Sequence, residues 1–166
     1  QSPYAWSKYL FDRFINQYKD EFEIIVQGFR YFNDYGEGEA HKGDQASPVT
    51  KFAQQAKEQG IIKLFEGSKN YKRDFVSVED LCRLHEKMFS VDKSDIFNAG
   101  TGAATSFETV GRAVAEKHSV DVEYIEMPEN LKSQYQAYTC ADLTKLNSVV
   151  DISWTDIVDY INDNKT

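Results

Sequence analysis

Hydrophobic positions along this chain switch repeatedly between a helical and a strand period. From Pro3 to Tyr18 the pattern is helical: Tyr9, Leu10, Phe14 and Ile15 form a broad apolar face, Pro3 suits a first turn, and Ser2 is a candidate N-cap. Glu23 to Phe32 (EIIVQGFRYF) is β-rich and predicts a strand running into a loop. Residues 34–45 (DYGEGEAHKGDQ) carry three glycines and many charges, which predicts a loop. Pro48 then opens a helix to about Gln59, with Gly60 as its C-cap. Short strands follow at Ile62–Phe65 and Asp74–Val78, then a helix from Val78 to Phe89 that starts near Ser77. A strand at Asp95–Asn98 leads through a glycine turn to a helix over Ser106–Lys117. A strand at Val122–Met127 and a last helix at Ile152–Asn162 complete the series. Strands alternating with helices of this length predict an α/β fold.

Composition narrows the class. The 166 residues are 41% hydrophobic, as in a globular domain, so wholesale disorder is excluded. No apolar run approaches the roughly 18 residues that span a bilayer, and no signal-peptide pattern opens the chain. A net charge of −8 leaves no overall basic footprint, so neither nucleic acid nor an anionic membrane is an expected partner. Cys82 and Cys140 lie far apart without a CxxC pattern, and fit a reducing cytoplasm. His41, His85 and His118 are scattered, and no metal is expected. Trp6 and Trp154 are expected in the core.

Several segments carry candidate chemistry, each with a bland alternative. Tyr4 and Lys8 form a Y-x-x-x-K pair (YAWSK) on one helix face, and an ammonium beside a phenol favours phenolate, the setting of a general acid/base. About one such match is expected by chance in a chain of this composition, and a solvated helix face is the alternative. Lys42, in the glycine-bearing loop His41-Lys42-Gly43, can enter a pocket or lie on the surface. Asn33 can bond a substrate or cap a turn. The segment from Phe65 to Phe75 (FEGSKNYKRDF) interleaves aromatics, small residues and cations. Arg73 there suits a phosphate, Gly67-Ser68 permits close backbone approach, and Tyr71 offers a stacking face. On this segment alone, a strand-turn-strand hairpin with a polar tip is the better account. Asn98-Ala99-Gly100-Thr101-Gly102 looks like a phosphate turn but lacks the third glycine of a dinucleotide fingerprint, so a structural turn is expected.

Taken in order, SPYAWSKYLFD, GFRYFNDYG, HKG, KLFEGSKNYKRDFVSVEDL, IFNAGTGAATSFETV and QYQAYTCADLTKL resemble the C-terminal part of the ADP-L-glycero-D-manno-heptose 6-epimerase family. That family lies within the NAD-dependent epimerase/dehydratases of the extended short-chain dehydrogenase/reductase group. YxxxK, RYFN and the G-T-G turn are widely shared among nucleotide-sugar epimerases and dehydratases; HKG after RYFN and FEGSxxxKRDF are far more specific. The resemblance implies the C-terminal portion of an extended Rossmann-type fold, with an incomplete sheet and a small substrate-binding region. Residues 1–30 would be the end of the nucleotide-binding domain, and 31–166 mostly the substrate-binding region with returning Rossmann elements.

The resemblance also implies roles. Tyr4 would be a catalytic acid/base with Lys8 as its partner, and Lys42 a second acid/base on the opposite side of the sugar. Tyr4, Lys8, Asp34 and Lys42 would contact the cofactor, NADP or NAD. Asn33, Asp44, Lys51, Phe65, Glu66, Gly67, Ser68, Arg73 and Tyr135 would contact an ADP-heptose substrate, with Arg73 on its diphosphate. The implied reaction is C6 epimerisation by transient hydride transfer, feeding lipopolysaccharide core synthesis in the cytoplasm, in a homo-oligomer. Alternatives are another nucleotide-sugar epimerase or dehydratase, or a non-catalytic binding or oligomerisation module. Asp34 replaces an apolar residue of the family pattern, Asp44 a small hydroxyl residue, and Lys51 a histidine. The family's first strand and glycine-rich pyrophosphate turn have no counterpart here, so the chain is expected to be a fragment that binds NADP poorly and is inactive alone.

Overall fold

The computed structural model describes residues 3–132 and 135–163. Helix α1 spans Pro3–Tyr18 as its pattern predicts. Its apolar residues occupy nearly every side, yet only Ile15 is buried. Leu10 and Phe11 are 60% and 61% exposed. Trp6, expected in the core, is half exposed and stands edge-on to Tyr9 at 5.7 Å. Helix α1 packs mainly against strand β5 (Asp95–Ala99) and buries Ile15, while Trp6 stays outside that contact's buried residues.

The predicted first strand is shorter than its β-rich run. β1 covers Gln27–Tyr31 and pairs in parallel with β5, Gln27 opposite Asp95. Ile24 and Ile25 precede it and are exposed; the strand begins where the Gln27 amide donates to Met88 O and Val91 O. The predicted loop 34–45 is largely ordered. β2 (Asn33–Tyr35) pairs in parallel with β4 (Lys72–Ser77), and a 3-10 segment covers Glu39–Gln45. The driving residue is Tyr35, whose ring is fully buried edge-on against Tyr160 at 4.8 Å.

Helix α2 (Pro48–Gln59) follows its signals closely. Ser47 caps it, Pro48 sits in the first turn, and Gly60 ends it at φ 67°. The predicted hairpin over 65–75 is not formed. β3 (Ile61–Phe65) pairs in parallel with β7 (Asp121–Ile125), whereas β4 pairs with β2 and, antiparallel, with β6 (Ala104–Ser106). A short 3-10 turn at Ser68–Asn70 carries the chain between the two sheets. Ser77 and Ser106 cap α3 (Val78–Met88) and α4 (Phe107–His118). Two short helices follow, α5 (Glu129–Lys132) and α6 (Thr144–Asn147). The last helix, α7, is Ile157–Asp163 and starts later than predicted, because Asp156 Oδ1 accepts from Val158 N at 2.7 Å and sets the first turn there. Ile152 and Trp154 instead lie extended against a core cluster.

Two hydrophobic clusters result, and β4 divides them. Phe75 belongs to the cluster of α2, α4, α7 and β3, with Leu64, Val110 and Ile161. Val76, the next residue, belongs to the cluster of α3 and β5, with Leu84, Met88 and Phe97. Successive strand residues point to opposite faces, so one strand serves both cores.

At the edge, Asp95 ties α1 to the second cluster. Its carboxylate accepts from Lys145 Nζ at 2.8 Å and pairs with Lys19 Nζ, just beyond α1, at 3.3 Å. Burial pushes this carboxyl up, but hydrogen bonds from Lys145, Ile96 N–H and Lys19 outweigh it and bring it down from 3.8 to about 2. A lowered carboxyl stabilises the fold above its unfolded value and loses that contribution as pH falls toward its folded value. Asp95→Asn should therefore cost roughly 2 kcal/mol at neutral pH and shrink the loss of stability between about pH 4 and 2. Denaturant titrations of both proteins across that window check this; parallel acid limbs would contradict it.

Candidate functional site

The segment after β3 builds one wall of a cavity. Gly67 takes φ 76°, a left-handed conformation that suits glycine, and sets the turn that buries Ser68. The cavity holds about 360 Å3 and is lined by Phe65, Ser68, Tyr71 and Lys51, with Phe107 and Tyr135 facing them. Ser68 Oγ is buried with no hydrogen-bond partner among the described residues, so it is available to a ligand. Tyr71 stands edge-on to Tyr135, 4.9 Å between ring centres. Burial pushes the Tyr135 phenol up, with a smaller opposing pull from Arg73.

Arg73, on β4, lays its guanidinium 5.6 Å from the Phe107 ring and 5.5 Å from the Tyr135 ring. It donates to Lys72 O at 2.8 Å, leaving further N–H groups for an anion. The structure thus gathers Lys51, Phe65, Ser68, Arg73 and Tyr135 of the predicted substrate set. Glu66 lies beside them and is exposed; its N–H bonds Ile125 O at 2.8 Å. Asp44 is exposed, and its carbonyl accepts from Lys51 Nζ, so two of the departures from the family pattern contact each other. Phe107 was not singled out by sequence. Its only signal is its place directly after the Ser106 cap.

A second group forms on β2 and the 3-10 segment. Asn33 is exposed and lies opposite Phe75. Asp34, next to it, comes within 3.9 Å of Lys42 Nζ. Lys42 also pairs with Glu39 at 3.2 Å. Gly43 (φ 53°, ψ −123°) kinks the chain directly after Lys42. Glu39 is the other residue that sequence reasoning passed over, although it lies three residues before Lys42 within one turn.

The third group is on α1. Lys8 Nζ lies 5.3 Å from the centre of the Tyr4 ring, and Tyr4 is 70% exposed. No hydrogen bond or ion pair links this pair to Lys42 among the described residues. The glycine turn at 100–102 is structural, in line with its missing third glycine. Thr101 N–H and Gly102 N–H both donate to the Asp74 carboxylate, at 2.7 and 2.9 Å, and so are not free to hold a phosphate.

The described residues form an α/β fold with parallel strand pairs, of the Rossmann-like kind. Residues 1–100 match the model of the NAD dependent epimerase/dehydratase family, and the chain belongs to that family. It is 43% identical, over 93% of its length, to the ADP-L-glycero-D-manno-heptose-6-epimerase of Alkalilimnicola ehrlichii, covering 51% of that protein. Among solved structures it resembles the ADP-L-glycero-D-manno-heptose-6-epimerase of Helicobacter pylori at 28% identity and TM-score 0.85, over 98% of this chain and 50% of that one. It shares its fold with the UDP-glucose 4-epimerase of Thermotoga maritima, at 23% identity and TM-score 0.81, over 98% and 52% of the two chains. The chain thus spans about half the length of the relatives it matches.

Asp74 is fully buried, and besides Thr101 and Gly102 it accepts from Ala141 N–H at 3.0 Å. Asp74→Ala would strand three backbone donors, at about 1 kcal/mol or more each. A loss of about 3 kcal/mol or more in a denaturant titration is expected; a loss below about 1 kcal/mol would contradict the assignment.

Proposed function

We propose that these residues form the substrate side of an enzyme that epimerises ADP-D-glycero-D-manno-heptose to ADP-L-glycero-D-manno-heptose at C6. The observation that carries this reading is Arg73 lying over two rings that line the cavity of Phe65 and Ser68. A guanidinium beside an aromatic-lined pocket suits a nucleoside diphosphate, with the charge at the pocket's edge and the base within. The identity to the Alkalilimnicola enzyme supports the heptose, as does the HKG loop.

In this reading a bound nicotinamide cofactor, NADP or NAD, would supply reversible hydride transfer at C6, with Tyr4 and Lys8 holding its nicotinamide-ribose end. Inversion then requires proton-moving groups on both sides of that carbon. Tyr4 moves the proton of the C6 oxygen on one side, with Lys8 beside it as the ribose-binding ammonium. Lys42 serves the opposite side, and Asn33 orients the sugar. Tyr4 and Lys8 would serve the nicotinamide-ribose end of the cofactor. The 100–102 turn offers its pyrophosphate nothing, since its N–H groups are engaged by Asp74. The reading further places the protein in the cytoplasm as a homo-oligomer, which the apolar surface of α1 supports.

Two measurements check this. Calorimetric titration of the 166-residue chain should show ADP binding that weakens at least about tenfold in Arg73→Ala, and NADP binding weaker than ADP binding. Tight NADP binding, or an Arg73→Ala protein indistinguishable from wild type, would count against the reading. In a protein that carries these residues together with a cofactor-binding half, Lys42→Met should lower turnover by about 100-fold or more while NADP stays bound. Near-normal turnover would remove Lys42 from the mechanism.

A further inference from the structure

The Lys42 amine is attached to a more elaborate device than its loop requires. Its partner Glu39 is only 5% exposed, and both carboxylate oxygens are occupied. Oε1 accepts from Lys42 Nζ at 3.2 Å and from Ser47 N–H at 3.3 Å. Oε2 accepts from Ser47 Oγ at 2.5 Å and Thr50 Oγ1 at 2.9 Å. Ser47 is the N-cap of α2, and Thr50 lies in its first turn. The carboxylate is therefore fastened to the start of a helix whose apolar face is packed into the first cluster. Burial pushes the Glu39 carboxyl up, but hydrogen bonds from Ser47, Thr50 and Lys42 overcome that and hold it below its usual range.

Capping α2 needs only Ser47, which already receives Thr50 N–H. A buried carboxylate added to that cap, with a single ammonium at its free side, goes beyond capping. The Lys42 side chain is 38% exposed, with Asp34 3.9 Å away on its more open side. The kink at Gly43 directly after Lys42 leaves the preceding Glu39 as the rigid point from which the amine is set.

We propose that Glu39 is the positioning residue of Lys42: its helix-fastened carboxylate fixes where the Lys42 amine stands. The restraint is a property of this chain; its use in catalysis rests on the reading above. Asp34, exposed and more distant, is a secondary partner.

The test compares Glu39→Gln, Glu39→Asp and Ser47→Ala in the 166-residue chain. The readout is the rate at which the Lys42 amine is acylated by a small succinimidyl ester at fixed pH, followed by peptide mass spectrometry. Glu39→Gln should speed acylation about two- to fivefold, the factor carried by a partly exposed ion pair, with Glu39→Asp in between. Ser47→Ala removes one of the three hydrogen bonds that fasten Glu39 to the helix, so it should lower thermal stability and speed acylation less than Glu39→Asp does. Equal rates in wild type and both Glu39 variants, or an equal acceleration in Ser47→Ala, would overturn the proposal. Should Glu39→Gln fail to fold, the Glu39→Asp to Ser47→Ala comparison decides it. In a protein that turns over, Glu39→Asp should lower kcat about tenfold with KM within twofold. A change confined to KM would overturn the positioning role. The acylation result stands or falls independently of whether Lys42→Met abolishes turnover.

Discussion

A single buried carboxylate, that of Asp74, holds together the parts of this molecule on which the site depends. It has no cation within ion-pair distance among the described residues. Its oxygens are spent on backbone N–H groups of Thr101, Gly102 and Ala141 and on the Thr101 hydroxyl. Three chain segments distant in sequence thereby meet at one strand position. Gly100 is required beside it, since a Cβ there would stand 2.8 Å from Asp74 Oδ2 and 2.9 Å from the Ala141 Cβ. Because Asp74 is fixed, its neighbour Arg73 is fixed too. β6, paired with β4 through Arg73 and Thr105, delivers Phe107 to the cation's far side.

The other buried carboxylate near the site, Glu39, solves a different problem. Asp74 gathers backbone donors and closes a turn; Glu39 gathers hydroxyls at a helix start and leaves one side to a lysine. Both are connected through β2 and β4, which are paired from Asn33 opposite Phe75 to Tyr35 opposite Ser77. The Arg73 guanidinium and the Lys42 amine therefore sit on adjacent strands and the segment that follows them. A change in the pairing of β2 and β4 would move the two groups relative to each other.

What the sequence revealed and concealed has a physical pattern. Helix ends signalled by local residues were readable: helices start at Pro48, just after Ser77 and just after Ser106, and Gly60 ends one. Strand identity was readable for β1, β3, β4, β5 and β7 but not for the three-residue β2 and β6, and strand partners were not readable, because pairing is decided by non-local packing. The hairpin expected over 65–75 failed for that reason: each strand found a partner far along the chain. The loop over 34–45 was misread because its charges and glycines outweighed one buried ring, Tyr35. Trp6 differs from its expected core position because an aromatic residue on a helical pattern looks internal, whereas α1 buries Ile15 and leaves Trp6 half exposed. At the site, Arg73, Phe65 and Ser68 were signalled by their motif, while Glu39 and Phe107 act only through neighbours that the fold supplies.

The exposure of α1 bears on the chemistry itself. Tyr4 is 70% exposed, and Trp6, Tyr9, Leu10, Phe11 and Phe14 are each at least 49% exposed. A helix apolar on all sides is stable only when most of those sides are covered. Proton and hydride transfer at a sugar carbon also require that water be kept from the reacting groups. Both demands fall on the same helix: a surface that covered its apolar sides would also enclose Tyr4 and Lys8. On the proposed function, covering α1 and shielding Tyr4 and Lys8 from water are thus one requirement. The cavity of Phe65 and Ser68, by contrast, has its aromatic walls and the Arg73 guanidinium already assembled by the two cores on either side of β4.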